Sequence, residues 1–158
     1  MVWRALVVLF FLATYALAQN FSGYRETTLD AVFERWNDIT KADGPGVSYT
    51  AELDKVRFVA TLRSFPVSCS NAPLETALRL TGSENFLQQV SINHCFTFTS
   101  NTGRTIAAYV EDVLVPGLGA DAKLGSPVEV YAVVQAYVVQ ADRSRNYPIM
   151  IVTRFEPQ

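Results

Sequence analysis

Histidine is almost missing from this chain, which has only His94, and cysteine occurs twice, at Cys69 and Cys95. A closed zinc site draws four ligands from such residues, usually with C-x-x-C spacing, and neither the number nor the spacing is present. Cations are also scarce. Thirteen Lys and Arg stand against 15 Asp and Glu, and no stretch groups enough of them to displace counterions from a phosphate backbone. The densest basic pair, Arg143 with Arg145, lies in the polar stretch "ADRSRN", which reads as a solvated turn. These shortages argue against nucleic acid as a partner and call for no metal. No catalytic or cofactor motif is present either, so no cofactor is expected.

The opening "MVWRALVVLFFLATYALA" has a basic start at Arg4, an apolar core from Ala5 to Leu17 and a small-residue ending at Ala16-Leu17-Ala18. That pattern is an export signal cleaved before Gln19. The competing reading, a membrane anchor, needs roughly 20 apolar residues, more than this run supplies. The polar chain that follows has no second apolar span, and no Cys adjoins the cleavage point for lipid attachment. The expected mature chain therefore has no membrane anchor and lies outside the cytoplasm, periplasmic or secreted. It loses one Arg and no acid, which leaves it slightly acidic.

In an oxidising compartment, Cys69 and Cys95 are expected to pair as a structural disulfide. Closing the chain between them removes unfolded-state entropy worth roughly 3–4 kcal/mol. The alternative is a catalytic thiol with His94 as its base. Adjacent strand residues point to opposite faces, so His94 is poorly placed to serve Cys95 and would have to meet Cys69 across the fold.

Three divisions follow: a signal over residues 1–18, an N-terminal helical segment over 19–46 and a β domain over 47–158 with a helical insertion at 67–94. "QNFSGYRE" reads as a loose lead-in. Thr27 or Thr28 caps a helix running to about Lys41, whose stripe Leu29, Val32, Phe33, Trp36 and Ile39 marks a buried face. "ADGPG" stops it. Val56, Phe58, Ala60 and Leu62 then alternate with Arg57, Val59, Thr61 and Arg63, which marks a strand with one apolar face. In the insertion, "PLETALRL" forms a helix broken at Gly82, and "SENFLQQV" restarts it from Ser83.

"CFTFTSNTGRTIAAYVED" reads as a hairpin about Asn101 and Gly103, with Phe96, Phe98, Ile106, Ala108 and Val110 inward and Thr97, Thr99, Thr105 and Tyr109 outward. "VLVPGLGADAKLG" is a connector with a helical turn at about 120–124. Two long apolar strands end the chain, "GSPVEVYAVVQAYVVQ" and "YPIMIVTRF".

This order of strands, over residues 55–157, resembles the OB-fold, a five-stranded Greek-key barrel whose bent strands each serve two sheets. The resemblance implies a mainly β, α+β protein: an OB-like barrel with an N-terminal helix and a helical insertion between strands one and two. It departs from the family in its connector between strands three and four, which is poor in helix formers where the family has a helix. A β-sandwich or an open half-barrel capped by helices is the structural alternative.

OB-type barrels bind extended ligands across a sheet face. Here that implies a non-enzymatic binding or envelope module recognising a protein, peptide or glycan. Arg57, Arg63 and Tyr109 are its expected ligand-binding residues, because Arg and Tyr anchor interfaces. Thr61, Thr97, Thr99 and Thr105 stand beside them on that face, and Tyr131, Gln135 and Tyr137 extend it. A small secreted enzyme using Glu111 and Asp112 is one alternative, although neighbouring strand residues diverge unless a turn intervenes. A single-stranded nucleic-acid-binding OB domain is the other, and the acidic balance and export count against it.

Overall fold

The computed structural model describes residues 21–40, 47–49, 53–139 and 146–158, excepting the side chains of 36–40, 47–49, 136–139 and 146–148. The expected signal at 1–18, the "ADGPG" breaker and most of the "ADRSRN" tip lie outside the described residues. In chain order, a 3-10 turn at Phe21–Gly23 leads to β1 (Arg25–Glu26), α1 (Leu29–Thr40), β2 (Val47–Tyr49), β3 (Asp54–Leu62) and β4 (Val67–Ser68). Helix α2 (Ala72–Leu80) and a 3-10 turn (Glu84–Gln88) precede β5 (His94–Thr99) and β6 (Thr105–Val110). A 3-10 turn (Asp112–Leu114), α3 (Val115–Asp121), β7 (Pro127–Val139) and β8 (Asn146–Pro157) complete the chain.

Strands β3, β5, β6, β8 and β7 pair in that order, and β7 returns to β3 to close a barrel. All neighbours are antiparallel except β6 and β8, which run parallel. This is OB topology, a mainly β barrel with flanking helices. Alternation dictates the inside: Val56, Phe58, Ala60 and Leu62 of β3 meet Phe96, Phe98, Ile106, Ala108 and Val110 of the hairpin in one buried cluster. Val128, Val130, Ala132 and Val134 of β7 line the same core. Strand β7 pairs with β3 through residues 127–134, with β8 through 128–138 and with β2 through 137–139, and it lacks a polar face because its outward Tyr131, Val133 and Gln135 are buried as well. A register shift at Tyr131/Ala132 adds Thr153 to the β8 side and bends the ribbon.

Both connector expectations need correction. The link between strands three and four carries a helix, at Val115–Asp121 instead of the turn expected at 120–124. Its two glycines disfavour a helix in isolation, Pro116 is harmless in the first turn, and packing decides: Leu118 is fully buried in the barrel core. Gly117 permits the close approach, since a β-carbon there would sit 3.3 Å from the Phe155 ring. In the insertion, α2 ends at Leu80 and the chain breaks at Gly82 as expected, with φ of 65°, but "ENFLQ" restarts as a 3-10 turn, and Ser83 makes no side-chain cap.

Thr28 caps α1 by accepting the Ala31 N–H at 3.1 Å. Leu29 and Val32 enter the barrel core and Phe33 packs beside it, while the side chains of Trp36 and Ile39 lie outside the described residues. Asp30 accepts a 2.5 Å hydrogen bond from Thr102 and the Arg104 guanidinium lies over the Phe33 ring, tying α1 to the β5–β6 turn. Helix α2 builds a second core on the barrel exterior: Leu74, Ala77 and Leu78 cover Ile92, Tyr109, Ile149 and Ile151. Cys69 and Cys95 form the expected disulfide at the root of this insertion.

Candidate functional site

The three residues expected to share one ligand face do not meet on it. Arg57 stands in the cross-strand row Arg57, Tyr131, Arg154 on the outside of β3, β7 and β8. Its guanidinium is bound within the molecule, 2.6 Å from Glu26 and 3.6 Å from Glu129. A hydrogen bond with Tyr131 and the neighbouring carboxylates hold its pKa above the usual value. Tyr109 does point away from the barrel core, as alternation requires, but α2 lies over it. It is 8% exposed and its hydroxyl donates to the Ser70 carbonyl at 3.1 Å.

The row around Tyr131 is covered by the N-terminal lead-in. Strand β1 pairs with Val56 and Arg57 along the edge of β3, beyond the reach of β5, which meets β3 only at Thr61 and Leu62. The rings of Phe21, Tyr24 and Tyr131 pack pairwise with centroids 5.3–5.6 Å apart. Arg154 stacks on Phe21 and on Tyr131, Lys55 lies over Tyr24, and the Tyr24 hydroxyl is 2.8 Å from that of Thr153. Gln135, expected to extend an open face, is 2% exposed, and neither of its amide atoms has a partner among the described residues. The side chain of Tyr137 lies outside the described residues.

Arg63 has a different setting. Residues 63–68 continue from β3 along β5: the amides of Arg63 and Ser64 donate to the Thr97 carbonyl, and Val67 and Ser68 pair with Cys95 and His94. The exposed Arg63 side chain donates from Nε to the Thr99 hydroxyl at 3.0 Å, and Thr99 lies 3.1 Å from Thr105. Thr97 bonds Ser64 at 2.9 Å. Around this hydroxyl row stand exposed Thr105 and Ala107, with Phe65 at 38% and Val67 at 62% exposure. The outer face of β5 and β6 is therefore accessible over this stretch. It presents a guanidinium, the hydroxyls of Thr97 and Thr105 and two apolar side chains, while Thr99, bonded to Arg63, is itself buried. Phe65 and Val67 escape a reading by alternation because Pro66 interrupts the strand between them.

Glu111 and Asp112, the alternative acid/base pair, fall on the turn after β6 and have opposite environments. Burial pushes the Glu111 carboxyl up; it is 7% exposed. For Asp112 partial burial opposes ionisation, but hydrogen bonds from His94, Ser91 and Asn93 outweigh it and hold the carboxyl well below the usual range. Among the described residues no group of three His, Cys, Asp or Glu forms a metal-binding cluster, and no helix is long and apolar enough to cross a membrane. Two surface depressions, one between α2 and the following 3-10 turn and one beside α3, are lined by none of Arg57, Arg63 or Tyr109.

The barrel and its accessible hairpin face define an OB-like domain with a disulfide-braced helical insertion. Comparison with known proteins finds no matching family model, no matching characterised protein and no matching solved structure.

Proposed function

We propose that this protein is an exported binding module that recognises an extended peptide or glycan, free or displayed on an envelope protein, through the outer face of β5 and β6. The observation that carries this reading is the accessibility of that face beside two covered ones. The second and third barrel strands, here β5 and β6, are where OB barrels commonly receive extended ligands; they carry Thr97, Thr105 and Ala107, and the segment that runs beside β5 adds Arg63, Phe65 and Val67. Hydroxyls and a guanidinium supply directional hydrogen bonds, and Phe65 supplies apolar area for a sugar ring or peptide side chain. The leader-like start, the disulfide and the acidic balance favour an extracytoplasmic partner over nucleic acid. Arg57 and Tyr109 are assigned structural work, and Arg63 is the residue of the original three that remains a ligand contact.

The test is capture from envelope extract by the parent, by Arg63→Glu/Phe65→Ser and by Arg57→Gln, each checked for an unchanged melting temperature. Loss of capture in the first variant and retention in the second is the expected pattern. Equal capture by all three proteins removes this face from consideration.

A further inference from the structure

The one histidine of the chain lies in a constellation that the binding role leaves unused. Asp112 accepts hydrogen bonds from Ser91 Oγ at 2.7 Å, the Asn93 amide at 2.9 Å, Asn93 Nδ2 at 2.7 Å and His94 Nδ1 at 2.8 Å. A carboxylate has no proton to donate, so Nδ1 carries the hydrogen and a neutral His94 keeps its lone pair on Nε2. Nε2 has no hydrogen-bond partner among the described residues, and the His94 side chain is 31% exposed.

The residue opposite His94 is a serine. Ser68 pairs with His94 in the β4–β5 ladder. The Cys69 amide donates to the Asn93 carbonyl at 3.1 Å, which marks the next pair along as the hydrogen-bonded one. Ser68 and His94 are therefore the narrow, non-hydrogen-bonded pair, with side chains on one face and β-carbons about 4.5–5.5 Å apart. Ser68 is exposed, and its hydroxyl has no partner among the described residues. The Cys69–Cys95 disulfide, on the opposite face of the same two strands, fixes their register. A clamp holding the insertion to the barrel would explain Ser91, Asn93 and Asp112. It would not require a free Nε2 with a hydroxyl across from it.

We propose that Ser68, His94 and Asp112 form a nucleophilic site that takes an acyl group from an activated ester onto Ser68. The Ser68 oxygen attacks the ester carbonyl carbon as its proton passes to His94 Nε2. The carbonyl carbon–oxygen bond to the leaving group then breaks. The leaving oxygen takes the proton back from His94, and the products are acyl-Ser68 and a free alcohol. Asp112 is a positioning residue that fixes the tautomer and orientation of the imidazole. Acylation is a single stoichiometric event and requires no turnover by the binding module.

The probe is p-nitrophenyl acetate, followed by nitrophenol release and by mass-spectrometric mapping of the acetyl group. One acetyl per chain on Ser68 is expected, none on Ser68 in Ser68→Ala, and acylation slowed about 100-fold or more in His94→Gln. Nitrogen NMR of the lone imidazole supplies a readout that folding losses do not imitate: the Nδ1–H tautomer in the parent, shifting toward Nε2–H in folded Asp112→Asn. Acetylation that bypasses Ser68, equal rates in the parent and His94→Gln, or an Nε2–H tautomer in the parent would each overturn the proposal.

Discussion

Two neighbouring carboxylates show how far a residue's behaviour depends on its surroundings. Glu111 is buried without a cationic partner among the described residues, so its folded pKa exceeds its unfolded one, and its contribution to stability, complete below about pH 4, is lost as pH rises through the folded value. Glu111→Gln should therefore stabilise the protein at pH 7, by about 0.5–2 kcal/mol, and the gain should vanish near pH 4 in melting experiments. Asp112 has the opposite sign. Its depressed folded pKa gives stability that is complete above about pH 4 and lost progressively as pH falls below it. Asp112→Ala should lower the melting temperature at pH 7, with a deficit that narrows in acid. A linear sequence shows two adjacent acids and does not show that one meets four donor groups while the other is buried.

Elements were legible where periodicity and burial agree. The alternation Val56, Phe58, Ala60, Leu62 and the hairpin positions Phe96, Phe98, Ile106, Ala108 and Val110 identified inward faces because a strand's period of two allows no other assignment once one face is apolar. Helix α3 was not legible: "VPGLGAD" has poor helix propensity, and its formation depends on burying Leu118 in a barrel end that does not exist until the strands close. Alternation likewise placed Tyr109 outside the barrel but said nothing of α2 above it. Because that cover is a separate cluster, Leu78→Ala should cost about 2–5 kcal/mol locally. Amide exchange should accelerate in α2 while the β3–β7 ladder stays protected. Uniform acceleration would show that insertion and barrel unfold as one unit. Replacing both cysteines with serine should cost roughly 3–4 kcal/mol, seen as an earlier denaturant midpoint.

At the scale of the whole molecule, the barrel is closed by the return of β7 to β3, and its outer surface is divided among covers of different origin. The N-terminal lead-in occupies the Tyr131 row, α2 the Tyr109 patch, and the outer face of β5 and β6 remains accessible around Phe65. The lead-in reads as loose because "QNFSGYRE" lacks periodicity. Its order comes from aromatic and ionic contacts to residues far along the chain. The most direct test of this division is hydroxyl-radical footprinting of the oxidised protein. Phe65 should be modified rapidly, and Tyr109 and Tyr131 slowly until the fold is denatured. Tyr109 or Tyr131 reacting as fast as Phe65 would contradict the assignment of the β5–β6 face as the open one, and with it the binding role built on that face.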